Sequence, residues 1–138
     1  MLGIAGGIYF FWWFAVELLL PDAFNPLLSR LFVVAIIFVI FGLSYFDVWV
    51  KKNLRRLFIF CVWAITFHYF YLMYGNVGDI NWVIGSYITV IAINLCLFSS
   101  AALFSYSIFV FLISSLLVFL LPSLRHSIFL PGLVTILI

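Results

Sequence analysis

Apolar side chains fill long runs of this chain, and short polar or turn-forming stretches separate them. Residues 2–20 form the first run, closed by Pro21-Asp22, and Asn25-Pro26 extends the turn because proline disfavours helix in the residue before it. Residues 31–50 form the second, ending at the polar stretch Lys51-Lys52-Asn53-Leu54-Arg55-Arg56, and residues 57–74 the third, closed by Gly75-Asn76-Val77-Gly78-Asp79. Residues 82–98 and 101–121 follow, the latter ended by Pro122, and a sixth run over 127–138 stops at Ile138. A helix needs roughly 20 mostly apolar residues to cross a hydrocarbon core of about 30 Å. Twelve residues rise only about 18 Å, so the sixth run predicts an unfinished crossing. A transmembrane barrel would need alternation of apolar and polar positions, whereas residues 32–41 are apolar throughout. The pattern predicts an all-α polytopic membrane helix bundle, with five complete transmembrane helices plus a truncated sixth. The 138 residues are then one membrane domain and a piece of a longer protein.

Composition strengthens the membrane reading. The chain is 69% hydrophobic, 22% aromatic and 7% charged, where a soluble domain carries about a quarter charged residues. That excludes a cytosolic enzyme, a disordered tail and a disulfide-stapled secreted domain. It also excludes a nucleic-acid binder, since a net charge of +2 with a single basic cluster gives no phosphate-binding stripe. Met1 is followed at once by Leu2-Gly3-Ile4, which lacks the basic start of a signal peptide. Of the basic residues, Lys51, Lys52, Arg55 and Arg56 share one loop, and Arg30 and Arg125 stand alone in two others. Positively charged short loops stay in the cytoplasm. The expected topology is therefore multi-pass in the inner (plasma) membrane, with the N-terminus cytoplasmic and the sixth helix returning to the cytoplasmic face.

No catalytic constellation is present, and neither cofactor nor metal is implied. His68 and His126 lack metal-ligand spacing, and no glycine-rich phosphate loop, HExxH or GxSxG occurs. Cys61 and Cys96 fit buried small residues or, failing that, palmitoylation sites. What remains is a few polar groups in apolar runs, which are functional candidates because desolvation costs several kcal/mol unless partners are found. Glu17, four residues before Pro21, and Arg30, at the same depth on the next helix, are expected as an ion pair that fixes register or rims a pocket. His68, among Phe67, Tyr69, Phe70 and Tyr71, has two open readings: an imidazole packed against a tyrosine hydroxyl or a carbonyl, or a hydrogen bond to the head of a lipophilic ligand. Asn94, Thr66 and Thr89 are weaker cases of the kind that join membrane helices. The Gly3/Gly7 and Ala101/Ser105 pairs and Gly85-Ser86 indicate close helix approach. Aromatic residues in mid-span, among them Phe10 to Trp13, Trp63, Phe67 and Tyr69, suit a pocket for a greasy molecule, since ligand pockets are mostly apolar with a few placed polar groups.

Several of these features occur in one order: Tyr9-Phe10-Phe11-Trp12, Glu17 before Pro21, Arg30, then Asp47-x-x-x-Lys51-Lys52-x-x-Arg55, and Asn76 six residues before Trp82. In this, from Gly3 to about Leu121, the chain resembles the six-helix membrane sensor of the CqsS-type quorum-sensing histidine kinases. The resemblance implies a two-component signalling domain that detects a small lipophilic α-hydroxyketone and relays it to a cytoplasmic kinase, by which the protein would homodimerise. It implies that Trp82 and Gly85, with Ser86 adjacent, gauge the ligand's acyl tail, and that Tyr9 and Trp12 belong to the aromatic first helix. Head-group contacts would lie largely on the sixth helix. The sequence departs from the family at Gly85, where the family has a small hydroxyl residue, at Phe46, where it has arginine, and at Thr66, where it has proline. The chain itself is then non-catalytic. Two other outputs fit the same spans: the membrane sensor or anchor of a nucleotide cyclase, and a small transporter subunit.

Overall fold

The computed structural model describes residues 2–77, 79–97 and 99–124, and in these every regular element is helical. Five α-helices follow in order: α1 Leu2–Leu19, α2 Leu27–Phe46, α3 Val48–Gly75, α4 Ile80–Cys96 and α5 Ser100–Leu120, with a short 3-10 turn at Pro122–Leu124. Four of them, α1, α2, α3 and α5, are long and apolar enough to cross a membrane, and α4 is a shorter apolar helix of 17 residues. The sixth run, with Arg125 and His126, lies outside the described residues.

The helix ends differ from the sequence expectation in two places, for related reasons. Helix α2 begins at Leu27, directly after Pro26 at its cap position, so Arg30 lies inside the first turn instead of opening the helix. Helix α3 begins at Val48 and runs through all four basic residues. Lysine and arginine are good helix formers, and a cluster of them ends an apolar run without ending a helix. The break falls at Asp47 alone, whose carboxylate accepts the Val50 N–H at 2.8 Å and caps the new helix. Asp79 does the same for α4, accepting the Asn81 N–H at 2.9 Å. Between α3 and α4 the chain turns at Val77 with φ 53°, a left-handed conformation that a β-branched residue adopts only under strain.

Helices α1 and α4 each turn one narrow stripe inward. On α1 it is Leu2, Gly6, Tyr9, Trp13 and Val16; on α4 it is Trp82, Val83, Ser86, Val90 and Ile93. Spacings of three and four keep such residues on one face of a 3.6-residue helix. The opposite faces stay apolar: Ile4, Ile8, Phe11 and Leu18 of α1 and Phe104, Leu112 and Phe119 of α5 are exposed. Helices apolar on both faces find a matching solvent only in hydrocarbon.

The chain divides into two compact units, Met1–His68 and Tyr69–Ile138. In the first, Leu2, Val33, Ile37 and Cys61 form a core against which Tyr9, Ile40, Phe41, Phe58 and Ile65 pack. A Cβ on Gly6 would lie 3.1 Å from the Ile37 side chain, and one on Gly3 3.2 Å from the Phe41 ring, so the bare glycine surface of α1 lets α2 come close.

Candidate functional site

Within the first unit a polar cluster joins three helices. Its centre is His68, one of the most enclosed polar residues, at 5% exposure. The Tyr9 hydroxyl of α1 lies 2.6 Å from its Nδ1, and Ser29 Oγ of α2 lies 2.9 Å from its Nε2. Ser29 has one hydroxyl proton, which it donates to the Pro26 carbonyl at 2.9 Å. Only its lone pairs are left for the imidazole, so Nε2 carries the ring proton and donates it. Nδ1 is then the acceptor for the Tyr9 hydroxyl. The result is a directed chain, Tyr9 O–H to His68, His68 N–H to Ser29, Ser29 O–H to Pro26.

Arg30 forms the second half of the cluster, at 1% exposure. Its Nη2 donates to Asn25 Oδ1 at 2.9 Å and its Nη1 to the Tyr9 carbonyl at 3.4 Å. The guanidinium carbon sits 5.0 Å from the centre of the Tyr9 ring, within reach of a cation–π attraction. Asn25 is held in turn by Trp13, whose indole N–H donates to the Asn25 carbonyl at 3.2 Å. Tyr9 thus makes three contacts with two partners: its hydroxyl holds His68 of α3, and its ring face and carbonyl hold the Arg30 cation of α2.

Several expected site residues stand elsewhere. Glu17 is exposed on α1, eight residues or about 12 Å of helix beyond Tyr9. The Arg30 guanidinium is turned to the Tyr9 level, two turns from Glu17, where a neutral amide, a carbonyl and a ring receive it. Trp12 is 50% exposed; its neighbour Trp13 carries the contact, because residue 13 continues the inward stripe of Gly6 and Tyr9 and residue 12 does not. Lys51, Lys52, Arg55 and Arg56 are all exposed on the first turns of α3. Asn25 and Ser29 were not singled out from sequence as site residues, and Trp13 only as one of the mid-span aromatic residues. The signal was available for Trp13 in the stripe spacing, and absent for Asn25 and Ser29, which read as turn residues.

Trp82, Gly85 and Ser86 belong to the second unit. Trp82 is 3% and Ser86 1% exposed. The Ser86 hydroxyl donates to the Val83 carbonyl of its own helix at 2.6 Å. The Trp82 ring lies 5.6 Å from that of Tyr69, tilted by 52°, and Tyr69 also fills the space that Gly85 leaves open. A Cβ on Gly85 would fall on the Tyr69 hydroxyl and within 2.9 Å of its Cζ. Sequence reasoning named Tyr69 among the mid-span aromatic residues but not its approach to Gly85. A helical glycine facing inward is the sign that something bulky approaches, but it does not say what.

Cys61 is buried and Cys96 exposed, both as free thiols. Among the described residues no group of three or more His, Cys, Asp or Glu side chains stands close enough to hold a metal ion. Compared with family models, curated proteins and solved structures, the chain matches none.

Proposed function

We propose that the chain is the ligand-sensing membrane domain of a two-component sensor histidine kinase and that its signal is a small lipophilic α-hydroxyketone. The observation that carries this reading is the hydrogen-bonded chain from Tyr9 through His68 to Ser29, a set of donors and acceptors set among apolar helices. An α-hydroxyketone offers a carbonyl acceptor and, one carbon away, a hydroxyl. Its carbonyl competes with Ser29 for the His68 N–H. When it wins, α2 loses its hydrogen bond to α3 while Tyr9 keeps α1 attached. Ligand biases the two packings by its differential affinity for them, and the shift passes to the cytoplasmic kinase. In this reading α4, about 26 Å long, is a fifth crossing, residues 127–138 begin a sixth, and the N-terminus and the basic cluster face the cytoplasm of the inner membrane.

The test is a chimera that joins the complete six-helix domain to a kinase reporter. Ser29→Ala removes the competitor for His68 and is expected to lower the half-maximal α-hydroxyketone concentration roughly tenfold, the equivalent of one hydrogen bond of about 1.4 kcal/mol. His68→Ala abolishes the response. A reporter that ignores α-hydroxyketones of every tail length sinks the reading. So does a Ser29→Ala response as weak as that of His68→Ala, which would make the cluster purely architectural.

A further inference from the structure

The corner between α2 and α3 carries charge in an arrangement that topology alone does not demand. Helix α3 has 28 residues, about 42 Å, against a hydrocarbon core of about 30 Å. Residues 57–75 are enough to cross, which leaves residues 48–56, about 13 Å of helix, at headgroup depth and beyond. Helix α2 leads to the same level from the other side: its 20 residues rise about 30 Å and end at Phe46.

On this projecting segment Lys51, Lys52, Arg55 and Arg56 fall within one arc of about 140° at 3.6 residues per turn, and all four are exposed. Val50, on the other side, is buried at 6% exposure, so the segment's orientation is fixed and its cations point away from the protein. Residues 48–56 carry no carboxylate, and Asp47, directly before them, caps the Val50 N–H. Beyond the arc, at the joint with α2, Tyr45, Phe46 and Trp49 are exposed at 60%, 87% and 64%.

We infer that this corner is a docking surface for anionic phospholipid, with phosphate groups on the basic arc. The partner follows from charge complementarity and from depth: the cations emerge where lipid phosphates lie. Basic residues at such a position attract anionic lipid by roughly fivefold each, an attraction lost beyond a Debye length. The inference is independent of what the bundle senses, and no ligand or kinase enters its test.

The full chain is reconstituted in phosphatidylcholine vesicles with a fixed fraction of phosphatidylglycerol, and spin-labelled forms of the two lipids report which is retained at the protein surface. Wild type is expected to prefer phosphatidylglycerol, and high salt to weaken the preference. Arg55→Gln/Arg56→Gln, which keeps Lys51 and Lys52 for topology, reduces the preference several-fold, and Arg55→Lys/Arg56→Lys preserves it. Inorganic phosphate at matching concentration does not displace the labelled lipid. Equal retention of both lipids by wild type overturns the inference. An unchanged preference in the glutamine variant overturns it as well, because the selectivity then resides elsewhere on the bundle, and displacement by inorganic phosphate reduces the corner to a free-anion site.

Discussion

The two units of the chain put the buried polar groups of their helices to different use. In the first, the hydrogen bonds of Tyr9, His68, Ser29 and Arg30 run from one helix to another. In the second, the buried hydroxyls of Ser86 and Ser114 turn back on their own helices, to the carbonyls of Val83 and Val110, each at 2.6 Å, as the Thr66 hydroxyl of the first does to Val62. A hydroxyl bonded to its own helix satisfies itself wherever that helix goes. A bond between helices is satisfied only in one arrangement of both. The first unit therefore specifies its packing by polar contacts, and the second by shape, most visibly where the Tyr69 hydroxyl occupies the gap at Gly85.

His68→Ala is the strongest way to break this contrast. It removes the imidazole that holds α1 and α2 and leaves the Tyr9 hydroxyl to find another acceptor. The expected loss is about 3 kcal/mol of unfolding free energy in mixed micelles. Gly85→Ala probes the second unit by shape and is expected to cost about 2 kcal/mol, because the added carbon must displace the Tyr69 ring. Combining it with Tyr69→Phe recovers only part of that loss, since Cζ would remain 2.9 Å from the new methyl. Ser114→Ala, at a site with 0% exposure, should change stability by less than about 0.5 kcal/mol, because only a bond within its own helix disappears. If Ser114→Ala proved as damaging as His68→Ala, the contrast between the units would collapse.

Much of the architecture was legible in the sequence because a bilayer requires long apolar helices and little else satisfies the backbone there. The helix ends were less so. Arg30 looked like punctuation, and Lys51 to Arg56 looked like a loop, because charge marks the limit of an apolar run and not of a helix. Of the site, His68 stood out as the lone imidazole of the apolar runs, and its bond to a tyrosine hydroxyl was one of two open alternatives. That the tyrosine is Tyr9, and that Ser29 takes the other ring nitrogen, depends on how three helices meet, which no local pattern encodes. Arg30 was expected to reach for a carboxylate. Its guanidinium donates to Asn25 and to the Tyr9 carbonyl and lies over the Tyr9 ring.

Asp47 is the only residue between α2 and α3 outside a helix. A joint of one residue has two backbone angles and no slack. A longer loop would absorb the turning of one rod before the next felt it. Here α2 cannot rotate about its own axis without applying torque to the start of α3. The carboxylate that caps Val50 further stiffens the joint on its α3 side. Motion begun at Ser29, near the first turn of α2, has some 18 residues of continuous helix as a shaft and then a near-rigid coupling. Mechanically the pair resembles a crank more than two separate struts.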